Sequence, residues 1–329
     1  MNRLFGILLM VGLLYAALLG FDETQRSLDS HILLAKRFGF YGIITLGVGI
    51  LIISGGIDLS IGSLVGLGAI LFGVMVNKHV SPAVAALVVI GGSALIGLFH
   101  GVLVTRLRLQ PFLVTLCGLF IYRGLARIAG QSDASFKRED VAFLRTWMIG
   151  DPLYVPQQLV LLLVVALLLG LFLHGTSHGR YVFAIGANDQ AAKYAGIPTT
   201  RYKILAYVIC STLAGLASVL EILDVGSAQA TTAGTLYELY AITGAVLGGC
   251  SLSGGEGMIP GMFLGAAVLP LLKQLSMVIG AAVSNLIVNH VPSYRGISNE
   301  LEYVVIGVAL LLGTIADEVI KRRSVRRTG

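Results

Sequence analysis

The sequence predicts an all-α integral membrane protein, and three observations carry that prediction. Hydrophobic residues make up 56% of the chain and charged residues only 12%, with a mean hydropathy of +0.88, whereas a soluble domain carries about 25% charge. The apolar runs reach about twenty residues, the length with which a helix crosses roughly 30 Å of hydrocarbon, and not the shorter strands of a barrel. Glycine occurs 42 times, which suits helices that associate in lipid through close backbone contact.

Counting apolar runs gives about ten transmembrane helices, at roughly 4 to 20, 36 to 54, 57 to 76, 82 to 104, 111 to 130, 157 to 174, 204 to 223, 237 to 250, 258 to 280 and 302 to 320. The first run has a short basic start like a signal peptide, but no A-x-A pattern follows it, so it reads as a helix. The second stops at "SGG", residues 54 to 56, and the third restarts beyond it, so this pair is broken by glycine. Spacings such as Gly62/Gly66, Gly97/Gly101, Gly244/Gly248 and Gly257/Gly261/Gly265 read as helix contacts.

Charge sets the orientation, because short cytoplasmic loops collect lysine and arginine. With the N-terminus inside, the inner segments hold twelve of the 23 basic residues, from Arg3 through Arg106, Arg108, Arg180, Lys193, Arg201 and Lys203 to the tail at 321–329. The outer segments mix theirs with acids. Both termini are therefore expected to be cytoplasmic, and the whole chain, 1–329, forms one polytopic transmembrane domain with a basic tail.

Two connections are longer than a hairpin needs. The outer one, 131–156, carries Trp147 and Tyr154 among charges and suits an extracytoplasmic loop or a short helix lying at the interface. The inner one, 175–203, contains "NDQAAKYAGI", in which Asn188 or Asp189 can cap a short helix that ends at Gly196, with Pro198 beyond. Such a helix suits docking of a cytoplasmic partner.

Asp58 lies in "SGGIDLSIGS" between two apolar runs, and an acid within a span is a functional candidate by default. Two roles stand open: Asp58 or Ser60 caps the restarted helix, or Asp58 takes part in solute passage. The word returns as "GGCSLSGG" at 248–255, sharing G-G-x-x-L-S-x-G with "GGIDLSIG" at 55–62. If the two are repeats they are parallel ones, and broken segments in corresponding halves point to a translocation site. Glu238 opens the eighth span, either as a first-turn acid or in the outer pore, and Lys273 stands mid-span beside Gln274, where it should face the interior. Arg123 and Arg127, Glu221 and Asp224 lie near span ends and are expected to snorkel outward.

Other chemistry is poorly supported. No phosphate-binding G-x-x-x-x-G-K-[ST] loop and no H-E-x-x-H occurs, and His174 with His178 sits at a span end among glycines. Cys117, Cys210 and Cys250 have no paired spacing and read as buried packing residues. The net charge of +6 follows from membrane topology and does not imply nucleic acid.

Four ordered motifs then resemble a known family. "GILIISGGIDLSIGSLVGLGAI" at 49–70, "RLRLQPFLVTLCGLFIYRGLA" at 106–126, "GRYVFAIGANDQAAKYAGIPTTRYKILAY" at 179–207 and "GSAQATTAGTLYELYAITGAVLGGCSLSGGEGMIPG" at 226–261 are similar to permease subunits of bacterial ATP-binding-cassette (ABC) sugar importers. These are the ribose, xylose, galactose and autoinducer-2 type, relatives of the branched-chain amino acid permeases. The resemblance implies a dimer of this chain with a second copy or paralogue in the lipid of the inner membrane. It also implies an ABC ATPase subunit on the cytoplasmic face and an extracytoplasmic solute-binding protein outside. The chain itself then needs no cofactor and is not an enzyme, since ATP and Mg are held by the partner ATPase.

The resemblance also places Gly186, Asn188, Asp189, Ala191, Ala192 and Gly196 in the segment that couples to the ATPase. Pathway candidates are Asp58, Ser60, Glu238, Lys273 and Gln274. The chain departs from the family where many relatives carry two asparagines and it has Lys273 and Gln274, and in the long segment "AAVSNLIVNHVPSYRGISNELEY" before the tenth span. The rival reading is an ion-coupled secondary transporter working through Asp58, Glu238 and Lys273, and the structured inner loop argues against it.

Overall fold

The computed structural model describes residues 2–21, 23–130 and 134–288, together with positions 304, 307, 308 and 311. Apart from those four positions, the tenth expected span and the basic tail lie outside the described residues, as does most of the long segment before them. Twelve α-helices occur among the described residues: α1 (Asn2–Phe21), α2 (Leu28–Ile53), α3 (Ile61–Asn77), α4 (Pro82–Thr105), α5 (Pro111–Ala129), α6 (Ala142–Ile149), α7 (Gln157–Gly175), α8 (Ser177–Ala187), α9 (Asp189–Tyr194), α10 (Thr199–Val225), α11 (Tyr237–Leu247) and α12 (Ile259–Val288). Seven of them, α1, α2, α4, α5, α7, α10 and α12, are long and apolar enough to cross a membrane.

Two expected spans are shorter than that. α3 has 17 residues because Gly55 takes a left-handed conformation, φ +79°, and the chain stays irregular until Ile61. α11 has 11 residues, about 16 Å at 1.5 Å per residue, or half the hydrocarbon thickness. It begins only after a turn that ends on Leu236 at φ +64°. Hydropathy registers apolar length and is blind to the irregular backbone at either end of such a helix.

α2 is the axis of the bundle. Of its apolar window 83% is buried, against 11% in α1 and 17% in α7, and it packs against α7, α10, α11 and α12. The exposed leucines and phenylalanines of α1, α4, α5 and α7 form the lipid-facing surface, where apolar side chains need no protein partner. The glycine spacings mark close approaches. Gly97 and Gly101 of α4 lie against the backbone of Tyr207 and Ile204 in α10, and Gly244 and Gly248 of α11 meet Gly265 and Gly261 of α12. Gly62 and Gly66 instead receive the backbone of Ala233 and Gly234, so that contact is with a loop and not a helix.

The expected outer loop holds α6 with Phe143 and Trp147 exposed, an interfacial arrangement for aromatic rings. Ala134–Ser135 and Ser227–Ala228 pair as two short antiparallel strands, β1 and β2, which tie this loop to the end of α10. Cys210 and Cys250 are buried as expected, but Cys117 is exposed on α5.

Candidate functional site

The connection at 175–203, expected on the inner side, folds into two helices where the sequence indicated one. Thr176 caps α8, its hydroxyl oxygen accepting from Gly179 N at 3.2 Å, and α10 starts at Thr199, earlier than its apolar run. The second helix was legible from its caps. Asn188 Oδ1 accepts from Ala191 N at 3.0 Å. At the other end Gly196, φ +80°, donates to Lys193 O and Ile197 N donates to Ala192 O, each at 3.0 Å. This pair of bonds closes a helix through a left-handed glycine.

Asp189 fixes α9 to the start of α10. Its carboxylate lies 2.7 Å from Lys193 Nζ and 3.1 Å from Lys203 Nζ. Burial alone would raise the Asp189 carboxyl, but hydrogen bonds from Lys193 and Lys203 outweigh it and hold the group below the ordinary aspartate value. Ala192 turns inward at 4% exposure, whereas Asn188, Ala191 and Gly196 face out. Tyr194, not singled out in the sequence, is 90% exposed at the tip. An exposed tyrosine is typical of interface anchors, and its position inside "DQAAKYAG" was the available signal.

At the C-terminal end of α8, where it meets α9, Gly186 is wedged between the two glycine-broken words. A Cβ on Gly186 would collide with Ile53 O and come within 2.5 Å of Gly255 N. Gly255 N donates to Ile53 O at 2.9 Å, so the second word is hydrogen-bonded to the end of α2. A Cβ on Gly254, φ +83°, would stand 2.8 Å from Gly186 O and 3.1 Å from Gly55 Cα. The sequence related "GGIDLSIG" to "GGCSLSGG" by pattern alone; the fold brings both onto one glycine of the inner connection. Each word follows a helix, α2 or α11, and precedes another, α3 or α12.

Asp58 is fully buried. Its Oδ1 accepts from Ser60 N at 2.8 Å and Ser60 Oγ at 2.6 Å. The capping role therefore takes a different form from the one expected. The acid closes an Asx turn onto the residue before α3, and Ser60 makes no side-chain cap of its own. The carboxylate at the first turn of α3 comes from Glu238 of α11, whose side chain rests on Gly62, where a Cβ would collide with it. An acid is favoured there by the helix dipole.

Asp58 Oδ2 faces His100 Nδ1 of α4 at 3.5 Å, and a hydrogen bond of 2.8 Å joins His100 Nε2 to Tyr122 OH of α5. Tyr207 of α10 donates to Ile57 O at 3.2 Å. His100 was overlooked in the sequence, although an ionisable residue within a span is itself the signal.

Lys273 and Gln274 lie elsewhere. Both are half-buried at the middle of α12, and Gln274 Nε2 donates to Gln25 Oε1 at 3.0 Å, in the turn between α1 and α2. The structure thus gathers Asp58, Ser60 and Glu238 around the start of α3 and leaves Gln274 against the turn between α1 and α2. Two residues expected to snorkel turn inward instead. Arg123 donates to Ala233 O, and Glu221 Oε1 accepts from Tyr237 OH at 2.8 Å. In each case a polar partner is at hand on a neighbouring segment.

Comparison with known proteins follows the same lines. Residues 31–314 match the family described as Branched-chain amino acid transport system / permease component. The ribose import permease protein RbsC of Escherichia coli (strain K12) is 35% identical over 277 residues, 84% of this chain and 81% of that protein. The fructose import permease protein FruG of Bifidobacterium longum is 29% identical over 286 residues, 84% of this chain and 79% of that one. The autoinducer 2 import system permease protein LsrD of Yersinia enterocolitica is 33% identical over 268 residues, 78% of this chain and 80% of that one. No solved structure matches. A multi-pass helical membrane protein whose family match runs through all four motifs and both glycine-broken words, this chain belongs to the permease family of bacterial ABC importers.

Proposed function

We propose that this chain is the membrane-spanning permease of an inner-membrane ABC importer and forms the pathway for a sugar or similar small polar solute. A separate ATPase binds the cytoplasmic face at α9, a solute-binding protein delivers cargo outside, and a second copy or paralogue completes the pathway. The chain supplies no ATP chemistry. Alternating access runs from the ATPase through the inner connection to the two broken segments.

The observation that carries this reading is the position of Gly186. In the α8–α9 unit the end of α9 presents Tyr194 to a partner, and the junction of the two helices, at Gly186, touches both glycine-broken segments. Backbone contact without intervening side chains passes a displacement of α8 directly to Ile53, Gly55 and Gly255. Interfaces packed this closely respond by switching between arrangements more than by gradual deformation.

The test is reconstitution in proteoliposomes. The chain alone is expected to hydrolyse no ATP, and the complex with its ATPase to do so in step with uptake. Tyr194→Ala and Gly186→Val are expected to lower coupled ATPase turnover at least tenfold; unchanged turnover in both would refute the coupling path. Uptake that collapses with an uncoupler while ATP is held constant would establish the ion-coupled alternative.

A further inference from the structure

Beside α9 lies a cavity that neither the glycine-broken words nor the pathway candidates line. It occupies about 510 Å³, within the range of roughly 300–1,000 Å³ that holds small-molecule ligands. One wall is the turn between α4 and α5 with the first residue of α5, and the other is α9 with the start of α10. Three cations line it, Arg108 from the turn, Lys193 from α9 and Lys203 from α10. One carboxylate, Asp189, lines it as well and stands between the two lysines, 2.7 Å from Lys193 Nζ and 3.1 Å from Lys203 Nζ. The acid offsets one positive charge and leaves the wall cationic.

These groups are open to an occupant. Arg108 is exposed, takes φ +56°, and its guanidinium makes no ion pair or hydrogen bond among the described residues. A left-handed backbone is uncommon for a residue with a Cβ. The side chains of Lys193 and Lys203 remain 47% and 26% exposed. Thr199 lines the cavity at only 3% exposure, yet its hydroxyl has no hydrogen-bond partner among the described residues and is not sealed from solvent. Pro111 opens α5 and Thr199 opens α10, and neither helix start carries a side-chain cap. Both starts therefore add a positive dipole end to the cationic wall.

We infer that this cavity seats the phosphate-bearing headgroup of an anionic phospholipid. The wall decides the charge of the occupant: phosphate oxygens accept from Arg108, the lysines and the Thr199 hydroxyl at once, whereas a cation meets like charge and a neutral solute leaves Arg108 unpaired. The rim decides its source. Leu107 and Leu109 in the turn and Phe112 and Leu113 in the first turn of α5 are between 47% and 62% exposed, and they continue into the lipid-facing surface of α5. Acyl chains can follow them while the headgroup stays at the cations, and a soluble phosphate gains nothing from that rim. Basic pockets between membrane helices are suited to acidic headgroups for this reason. The site stands apart from the transport reading, because it uses neither solute nor ATP and Tyr194, offered to a partner, is not in its lining.

The test uses the full-length permease, delipidated in a neutral detergent, without solute or ATP. Retention of dioleoyl phosphatidylglycerol and of dioleoyl phosphatidylcholine is read by native mass spectrometry over a concentration series. Phosphatidylglycerol is expected to bind saturably and at least tenfold more tightly than phosphatidylcholine. Its apparent dissociation constant should rise about fivefold, the worth of one basic residue beside an acidic lipid, in Arg108→Asn and again in Lys193→Gln, while Arg108→Lys stays near wild type. Asparagine tolerates the left-handed backbone. Lys193→Gln, at an exposed position, carries the test if Arg108→Asn does not assemble as wild type by size exclusion. Equal retention of the two lipids overturns the headgroup site, and so does phosphatidylglycerol binding that the assembled variants leave unchanged. Displacement by an equal concentration of glycerol 3-phosphate would assign the cavity to a soluble phosphate and overturn the lipid. Release of the lipid when the ATPase binds would give the cavity to that subunit and overturn it likewise. Failure of ATP-driven uptake with lipid retention intact would instead count against the transport reading.

Discussion

Asp58 shows what a single acid does inside the bundle. One oxygen closes the Asx turn on Ser60 and the other faces His100, so geometry, more than charge, fixes its role. Asparagine retains the accepting oxygen and leucine does not. Asp58→Asn is therefore expected to keep assembly and most uptake. Asp58→Leu strands the Ser60 amide and hydroxyl and should cost about 1–3 kcal/mol, read as a lower unfolding midpoint in detergent. Loss of uptake in a well-assembled Asp58→Asn protein would show that the charge itself is needed. Asp189 answers to pH instead. Because its carboxyl is depressed by Lys193 and Lys203, its stabilisation is fully present above the unfolded aspartate value of about 4 and is lost as pH falls through the lower folded value. The difference in unfolding midpoint between wild type and Asp189→Asn should persist at pH 7 and shrink progressively as pH falls below the unfolded aspartate value of about 4; a difference independent of pH would assign it to packing.

The helices differ in how openly the sequence announced them. α9 was legible at both ends because its signals are local: an asparagine that reaches the amide three residues on, and a glycine able to turn left-handed. α8 was not, since its eleven residues lack a long apolar run and Thr176 caps it just after a span has ended. The meeting of "GGIDLSIG" and "GGCSLSGG" was not legible either, because it depends on how α11 and α12 pack against α2, and pattern similarity does not encode proximity. Gly186 carries the consequence. Alanine there already meets Ile53 O and Gly255 N, so Gly186→Ala should weaken coupling while helical content by circular dichroism stays unchanged. Gly196→Ala has open space around its Cβ and is strained only through its positive φ, so it should cost about 1 kcal/mol and leave coupling largely intact.

For the molecule as a whole, composition and run length were enough to predict an all-helical membrane protein, and they place seven crossing helices close to where the structure has them. They did not reveal that α2 is the axis or that α11 is a half-length helix, because hydropathy measures each segment against lipid and says nothing about neighbours. Orientation can be tested across one crossing. In a variant lacking Cys117, Cys210 and Cys250, Lys137→Cys and Tyr194→Cys are separated by α7 as the sole crossing helix between them. An impermeant maleimide is expected to label position 194 only from the cytoplasmic side and position 137 only from the opposite side; labelling of both from one side would remove α7 from the spans.

The burial of α2 also constrains how the protein is made. The ribosome delivers this helix directly after α1, well before α7, α10, α11 and α12 exist to surround it. During synthesis a segment destined for the centre must stay in the bilayer on its own merits, yet its window is the least apolar of the seven. Its insertion rests on the unbroken stretch from Ile43 to Ile53, and the nascent chain carries its future axis along an edge, exposed to lipid or held at the translocon, until the later helices emerge.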